Sequence, residues 1–291
     1  MIPRGPQLET VQIWKANGTG GVRQRDAVAV EEPLEIRLIS QQNGRWAEKS
    51  ISVTMRTPGN DFELAVGFLF SEGIIHNSQE IVELSYCAGA DKGDQEYNIV
   101  NVRLKPGVRF DAKRLERNFY TTSSCGVCGK ASLEALTLQD CSALPLDSPP
   151  VHARTIAWLP DTLRAAQAVF QRTGGLHAAG LFDYRGQLLS VREDVGRHNA
   201  LDKLIGDQVL RGKIPLKDQI LLVSGRASFE IMQKALMASL SIVAAVGAPS
   251  SLAVKLASQF NITLIGFLRG ESFNIYAGAN RIVNLEHAMS I

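Results

Sequence analysis

Two cysteines separated by two residues, Cys125 and Cys128 in TTSSCGVCGK (121–130), are the residues whose type and spacing most directly offer chemistry. Such a pair can grip a metal, cycle between dithiol and disulfide, or carry sulfur. Structural zinc wants four nitrogen or sulfur ligands, usually as two close pairs. The remaining cysteines, Cys87 and Cys141, form no second pair, so a zinc site would have to recruit Cys141 and a histidine. A disulfide oxidoreductase needs the pair to open a helix after a strand. CGKASLEAL can be that helix, with its dipole and Lys130 lowering a thiol pKa, but the preceding RNFYTTSS is small and polar rather than strand-like. A sulfur carrier needs an accessible, acidified thiol on a loop that can travel, and the flanking serines and glycines suit one. A second thiol three residues along can then attack a persulfide on the first. Two idle surface thiols would be an oxidation liability. The spacing leaves relay, redox and metal chemistry open. Cys87, in ELSYCAGA, reads as a small core residue beside a strand.

A second cluster lies in the C-terminal half. REDVGRHNALDK sets Asp194, Arg197, His198 and Asn199 at a strand-to-helix junction, and VSGRASFE sets Ser224, Gly225, Arg226 and Ser228 at another. In open α/β sheets ligands meet the carboxyl ends of strands and the free N–H groups of helix starts. Arginines there suit a phosphate-bearing ligand. Each junction alone reads equally as a capped helix with a solvated arginine; two in one sheet favour a site. The chain has no GxxxxGK[ST], GxGxxG after a strand, HExxH or GxSxG, and His76, His152, His177 and His287 show no ligand spacing.

The elements that must position these residues follow from periodicity. Residues 1–26 read as a flexible tail, rich in Gly, Pro, Gln and Asn. From Ala27 alternation predicts strands, including a hairpin of 34–40 with 50–55 across an Asn-Gly turn. GNDFELAVGFLFSEGI is a helix capped by Asn60 or Asp61 and ending near Gly73, and YNIVNVRL is a strand. This predicts an N-terminal α+β domain over 27–145, ending in the CxxC loop and helix. The proline-rich stretch 143–160 reads as a linker, followed by a helix capped by Asp161 and stopped by Gly174. Beyond it, a hairpin around 184–186 and strands alternating with helices predict an α/β/α sandwich with a largely parallel sheet over 146–291.

The composition, 45% hydrophobic and 21% charged with a net charge of +2, is that of an ordinary globular protein. That charge is too small to argue for nucleic acid. The longest apolar suspect, MASLSIVAAVGA, is too short to span a bilayer, and the N-terminus lacks a signal-peptide core. The expectation is a cytoplasmic protein with neither membrane nor nucleic acid as partner.

Six segments in order, TTSSCGVCGK, TGGLHAAGLFD, REDVGRHNALDKLIG, SGRASFEIMQKA, GAPSSLAVKLA and ITLIGFLRG, resemble the FdhD family of formate dehydrogenase accessory sulfurtransferases. VEEPLEIRL and SVTMRTPGNDFELAVGFLFSEGII extend the resemblance over about 27–278. It implies a C-terminal cytidine-deaminase-like α/β/α sandwich with a smaller N-terminal α+β domain. It also implies a homodimer that takes persulfide sulfur from a cysteine desulfurase. The sulfur would pass to the molybdenum or tungsten bis-molybdopterin guanine dinucleotide cofactor, bound by its guanine nucleotide part, for the catalytic subunit of formate dehydrogenase. Cys125 matches the family's persulfide cysteine and Cys128 its second. The cofactor-binding loop falls on Phe267, Leu268, Arg269, Gly270, Glu271 and Ser272, and no structural metal is expected. Zinc deaminases carry H-x-E and P-C-x-x-C at two successive helix starts. Here those starts are GRHNA and SGRAS, which lack the glutamate and the cysteines, and this argues against a deaminase. A cofactor-binding chaperone with CxxC as a zinc clip is the alternative.

Overall fold

The computed structural model describes residues 6–42, 44–87, 97–108 and 142–285. Cys125, Cys128 and Cys141, with the helix expected after the CxxC pair, lie outside them.

The chain opens with strands β1 (Leu8–Asn17) and β2 (Gly20–Ala29), paired antiparallel along their whole length. A tail is thus the wrong expectation for this stretch. Its polar, glycine-punctuated sequence hides the strand pattern because most side chains on both faces are exposed, so no apolar alternation marks it. A four-stranded mixed sheet follows, in the order β4-β3-β6-β5, from β3 (Glu32–Gln42), β4 (Arg45–Arg56), β5 (Ile81–Tyr86) and β6 (Ile99–Leu104). The β3–β4 hairpin is the expected one, carried further toward a tight turn at which Gly44 takes φ +79°. Alternate residues Leu34, Ile36 and Leu38 of β3 and Val100, Val102 and Leu104 of β6 are buried. They face helix α1 (Asp61–Ser71). Cys87, just past β5, is half-buried rather than in the core.

The larger sheet has six strands in the order β13-β12-β11-β10-β8-β9. They are β8 (His177–Asp183), β9 (Leu188–Asp194), β10 (Gln219–Val223), β11 (Ile242–Ala245), β12 (Thr263–Arg269) and β13 (Ser272–Ala277). Only β10–β11 and β11–β12 pair parallel; β8–β9, β10–β8 and β12–β13 are antiparallel. The sheet is therefore mixed, not largely parallel. The 184–186 turn and the return strand after Gly270 are hairpins, and a hairpin reverses direction where a helical crossover would not. A short parallel pair, β7 (Val151–His152) with β14 (Ile282–Val283), stands apart.

Helices cover both faces of this sheet. On one lies α2 (Ala153–Ala166), followed by the short α3 (Ala168–Thr173); on the other lie α4 (Arg197–Leu210), α5 (Phe229–Met237) and α6 (Ser251–Gln259). Helix α2 starts at Ala153, not Asp161, and holds Pro160 inside it, so the stretch 143–160 is only in part a linker. Ile156, Leu159 and Leu163 form its buried stripe, which outweighs the proline. Gly174 stops α3 at φ +66°, as expected.

Helix α4 is sandwiched between the six-stranded sheet and α1. Its apolar residues Leu201, Leu204, Ile205 and Val209 are fully buried, and so are its polar ones: Asp202, Lys203, Asp207 and Gln208 are at most 4% exposed. The two helices meet at glycines. A β-carbon on Gly67 would overlap the carbonyl oxygen of Asp202, and one on Gly206 would overlap that of Glu63. Through this contact one cluster of buried residues runs from the four-stranded sheet to the six-stranded one. Overfilling so close a backbone contact costs roughly 1–3 kcal/mol or more. Gly67→Ala and Gly206→Ala are each expected to lose at least that much stability in urea titrations. Gly18→Ala, where nothing lies within 4 Å, should stay within about 0.5 kcal/mol of the parent.

Candidate functional site

Three junction loops lie side by side at the carboxyl ends of the central strands. The first, after β10, carries Ser224, Gly225, Arg226 and Ser228; the second, after β11, is GAPSS; the third is the β12–β13 hairpin, where Phe267, Leu268 and Arg269 end β12, Gly270 and Glu271 turn the chain and Ser272 begins β13, with Leu268 buried in the core. The Gly247 N–H donates to the Gly225 carbonyl (2.9 Å), and Ala227 bridges to Pro249. The Phe267 N–H donates to the Gly247 carbonyl (3.1 Å). Gly247 is required here, because a β-carbon would press on the Gly225 oxygen and the Arg226 side chain. The middle loop thus joins two of the sequence-predicted site segments. Phe267 holds a left-handed backbone (φ +53°) with its ring 43% exposed, and Arg226, Arg269, Gly270, Glu271 and Ser272 are exposed beside or beyond it. Non-glycine residues in that conformation are strained and concentrate at functional sites. The edge presents two arginines, backbone N–H groups and an aromatic ring to solvent.

The other predicted junction, 194–199, divides into two roles. Asp194 and Asn199 face the N-terminal half. Asp194 is buried, accepts from the Gly196 N–H (2.8 Å) and the Thr57 N–H (3.2 Å), and pairs with Lys203 at 2.6 Å. Lys203 also donates to the Thr57 carbonyl (2.8 Å), and Asn199 donates to the Met55 carbonyl (2.8 Å). These residues join the end of β4 to the start of α4 and neither cap α4 nor reach a cleft. Arg56, one residue before Thr57, braces β4 within the N-terminal half: it is 1% exposed and forks onto Asp61 (3.1 Å to each oxygen), with Glu32 and the Tyr97 carbonyl as further partners. A second buried pair, Lys234 with Asp202 (2.9 Å to each oxygen), ties α5 to α4, and Ser71 of α1 donates to the same carboxylate. Burial pushes the Asp202 carboxyl up to about 6. Burial also works against the Lys234 ammonium, but Asp202, Glu230 and Glu72 outweigh it and hold the lysine charged.

Arg197 and His198 point the other way. His198 Nδ1 lies 3.2 Å from Glu230 and Nε2 lies 3.2 Å from Ser228 Oγ. Burial first, then the charges of Arg197 and Lys234 and the neighbouring His177, depress the His198 pKa to about 3. The ring is therefore neutral at pH 7. Because a carboxylate only accepts, Nδ1 carries the proton toward Glu230 and Nε2 accepts from the Ser228 hydroxyl. With the ring neutral, the 3.2 Å approach of Nδ1 to Glu230 is not an ion pair. Ser228 also caps α5, accepting from the Ile231 N–H. Gly225 packs between His177 and Arg197, whose Nε is buried with no hydrogen-bond partner among the described residues. Sequence spacing gave no signal for His177 or Glu230: strand pairing sets His177 opposite Asp194, and the approach of two helix starts brings Glu230 to His198.

Among the described residues no group of three or more His, Cys, Asp or Glu could hold a metal ion, and no helix is long and apolar enough to cross a membrane.

This fold belongs with one family of proteins. The FdhD/NarQ family model matches residues 29–283, and the chain belongs to that family. It is 55% identical over 261 residues to the sulfur carrier protein FdhD of Streptomyces coelicolor, covering 88% of this chain and 89% of that one. It is 53% identical to the sulfur carrier protein FdhD of Mycobacterium tuberculosis (88% and 92% covered) and 42% identical to that of Sulfurisphaera tokodaii (95% and 100%). A crystal structure described as a formate dehydrogenase accessory protein from Desulfotalea psychrophila superposes with a TM-score of 0.73 at 24% identity, covering 96% of this chain and all of that one, and so shares the fold.

The neutral His198 gives a signed pH dependence. Its folded pKa lies below the 6.5 of an unfolded histidine. Its contribution is complete above pH 6.5 and is lost as pH falls toward 3. Asp202, raised above 3.8, acts with the opposite sign between about pH 6 and 4, equally in parent and variant. Urea titrations at pH 7 and pH 5 should show His198→Gln losing less stability on acidification than the parent, by about 2 kcal/mol.

Proposed function

We propose that the chain is a sulfurtransferase acting in formate dehydrogenase maturation. Membership of a family whose relatives are named sulfur carrier protein FdhD carries this conclusion. Cys125 takes sulfane sulfur from a cysteine desulfurase: its thiolate attacks the outer sulfur of the donor persulfide, the donor leaves as thiolate, and Cys125 becomes a persulfide. Cys128, three positions along, relays that sulfur or assists its release in this proposal.

The acceptor in this proposal is the molybdenum or tungsten bis-molybdopterin guanine dinucleotide, taken up as substrate. Its pyrophosphates would be met by Arg226, Arg269 and the N–H groups of the three junction loops. That these loops stand together at the carboxyl edge supports the assignment of Phe267, Leu268, Arg269, Gly270, Glu271 and Ser272 to its binding. The six-stranded unit over 146–291 is proposed as a cytidine-deaminase-like sandwich set against an α+β unit over 27–145. In support, two successive helix starts face each other across His198, as they do around zinc in deaminases. Here Ser228 and Glu230 each stand 3.2 Å from one of the imidazole's nitrogens. We place the protein in the cytoplasm as a homodimer that receives sulfur from the desulfurase and serves the catalytic subunit of the dehydrogenase.

The test is mass spectrometry of the metal-free full chain after incubation with a cysteine desulfurase and cysteine. One or more extra sulfur atoms are expected on the peptide holding Cys125, removable by mild reduction and absent from Cys125→Ala. An unmodified pair beside an active desulfurase, with stoichiometric zinc retained by the cysteines, would instead make the chain a cofactor-binding chaperone.

A further inference from the structure

Strands β1 and β2 form a ribbon that joins neither of the larger sheets. Its base is anchored. The Val30 N–H donates to the Gln7 carbonyl (3.0 Å), and the Gln7 amide donates to the Pro58 carbonyl (3.1 Å). On one face β2 packs on α3, where Ala29 lies against Gly175. Further out on that face Trp14 is 65% exposed, with the Arg23 guanidinium 5.1 Å over its ring. A two-stranded ribbon standing alone is marginal in water at best.

Side chains alternate between the faces of a strand, so Glu9, Val11, Ile13 and Lys15 of β1 share the other face. In register across from them stand Val28, Asp26, Gln24 and Val22 of β2. Each strand thus gives this face just two apolar side chains, too few for a clear alternation in the sequence. None of the four belongs to either buried cluster, and Val22 and Val28 are 62% and 39% exposed.

The order of residues on this face is self-complementary. Let a two-fold axis lie in the face and cross the strands at the Gln12–Arg25 pair. A second ribbon laid on the first by that axis sets Glu9 against Lys15, Val11 against Ile13, Val28 against Val22 and Asp26 against Gln24. Every apolar residue meets an apolar one, and each carboxylate meets an ammonium or an amide donor. An isologous interface demands such a match, because residue i meets j while j meets i. Moving the axis by one residue either way sets Glu9 against Ile13 or Lys15 against Val11 and breaks the match. Within one chain Glu9 and Lys15 lie about 20 Å apart along the strand and cannot pair with each other.

We propose that this face is a self-association surface whose occupant is the same face of a second copy of the chain. The proposal rests on the homodimer reading above and gives that dimer an interface. A ten-residue strand is about 33 Å long, so the face buries on the order of several hundred Å² per copy, at the low end for specific interfaces. The dimer should therefore dissociate at accessible concentrations.

The test is sedimentation equilibrium of the full chain over roughly 1–100 μM. The parent should associate reversibly. Glu9→Lys and Lys15→Glu each set like charges together at both ends of the interface and should weaken association about tenfold. An equimolar mixture of the two variants pairs opposite charges at both ends and should associate at least as tightly as the parent. Thr10→Lys, on the opposite face, should leave association unchanged. Glu9, Thr10 and Lys15 are exposed, so melting temperatures of dilute samples should match the parent's. Association unchanged in Glu9→Lys and Lys15→Glu would put the interface elsewhere, overturning this proposal and leaving the homodimer reading. A parent that stays monomeric throughout would overturn both. Weakened variants without rescue on mixing, or equal weakening by Thr10→Lys, would overturn the pairing. So would a fall in melting temperature at unchanged mass, which marks a face covered within one chain.

Discussion

Two glycines let α1 and α4 touch backbone to backbone, and the rest of the structure depends on that approach. With Gly67 against Asp202 and Gly206 against Glu63, neither helix tolerates a side chain at the crossing. Side chains larger than hydrogen would push the helices apart and open the space between the two sheets, where apolar packing is dense and cavities are costly. The same approach brings the end of β4 within hydrogen-bond reach of Asp194, Asn199 and Lys203, so the polar joint between the halves exists only because the helices are so close.

That joint explains why a helix as polar as α4 is buried. Lys203 and Asp202 would be costly as isolated charges, but each has an opposite charge and hydrogen bonds within reach. Arg192 does the same from β9, reaching Glu63 on α1 and Asp207 on α4. The charged network fixes how α4 is rotated. It thereby sets where Arg197 and His198 point: away from the N-terminal half, toward the edge at which the strands end. Structural demand on one side of the 194–199 junction and exposed chemistry on the other are two faces of one turn of chain.

At that edge the loops are arranged by backbone rather than by side chains. Hydrogen bonds among Gly225, Gly247 and Phe267 hold three strand ends in line. Arg226, Arg269 and the Phe267 ring are left exposed at this edge. The neutral imidazole of His198 sits behind them, with Ser228 on one nitrogen and Glu230 3.2 Å from the other. A histidine start of this kind in a deaminase would bind zinc, whereas here carboxylate and hydroxyl occupy it.

The sequence by itself determined the elements whose signals are local. The β3–β4 hairpin, helix α1, the 184–186 hairpin, the alternation from β10 to β12 and the stop at Gly174 all follow from periodicity and turn residues. So does the placing of two junctions beside strand ends. The CxxC pair and the ordered motifs also sufficed to indicate the family. Only tertiary structure decided the rest, because it rests on contacts between residues far apart in the chain. The β1–β2 ladder has exposed faces and hence no apolar pattern. The pairing directions of β8 and β13 depend on where hairpins return. Pro160 stays in a helix because a buried stripe holds it there. Asp194 and Asn199 were legible as a junction but not as a joint to Thr57 and Met55. Glu230 had no sequence signal at all, since it acquires its role from a neighbouring helix start.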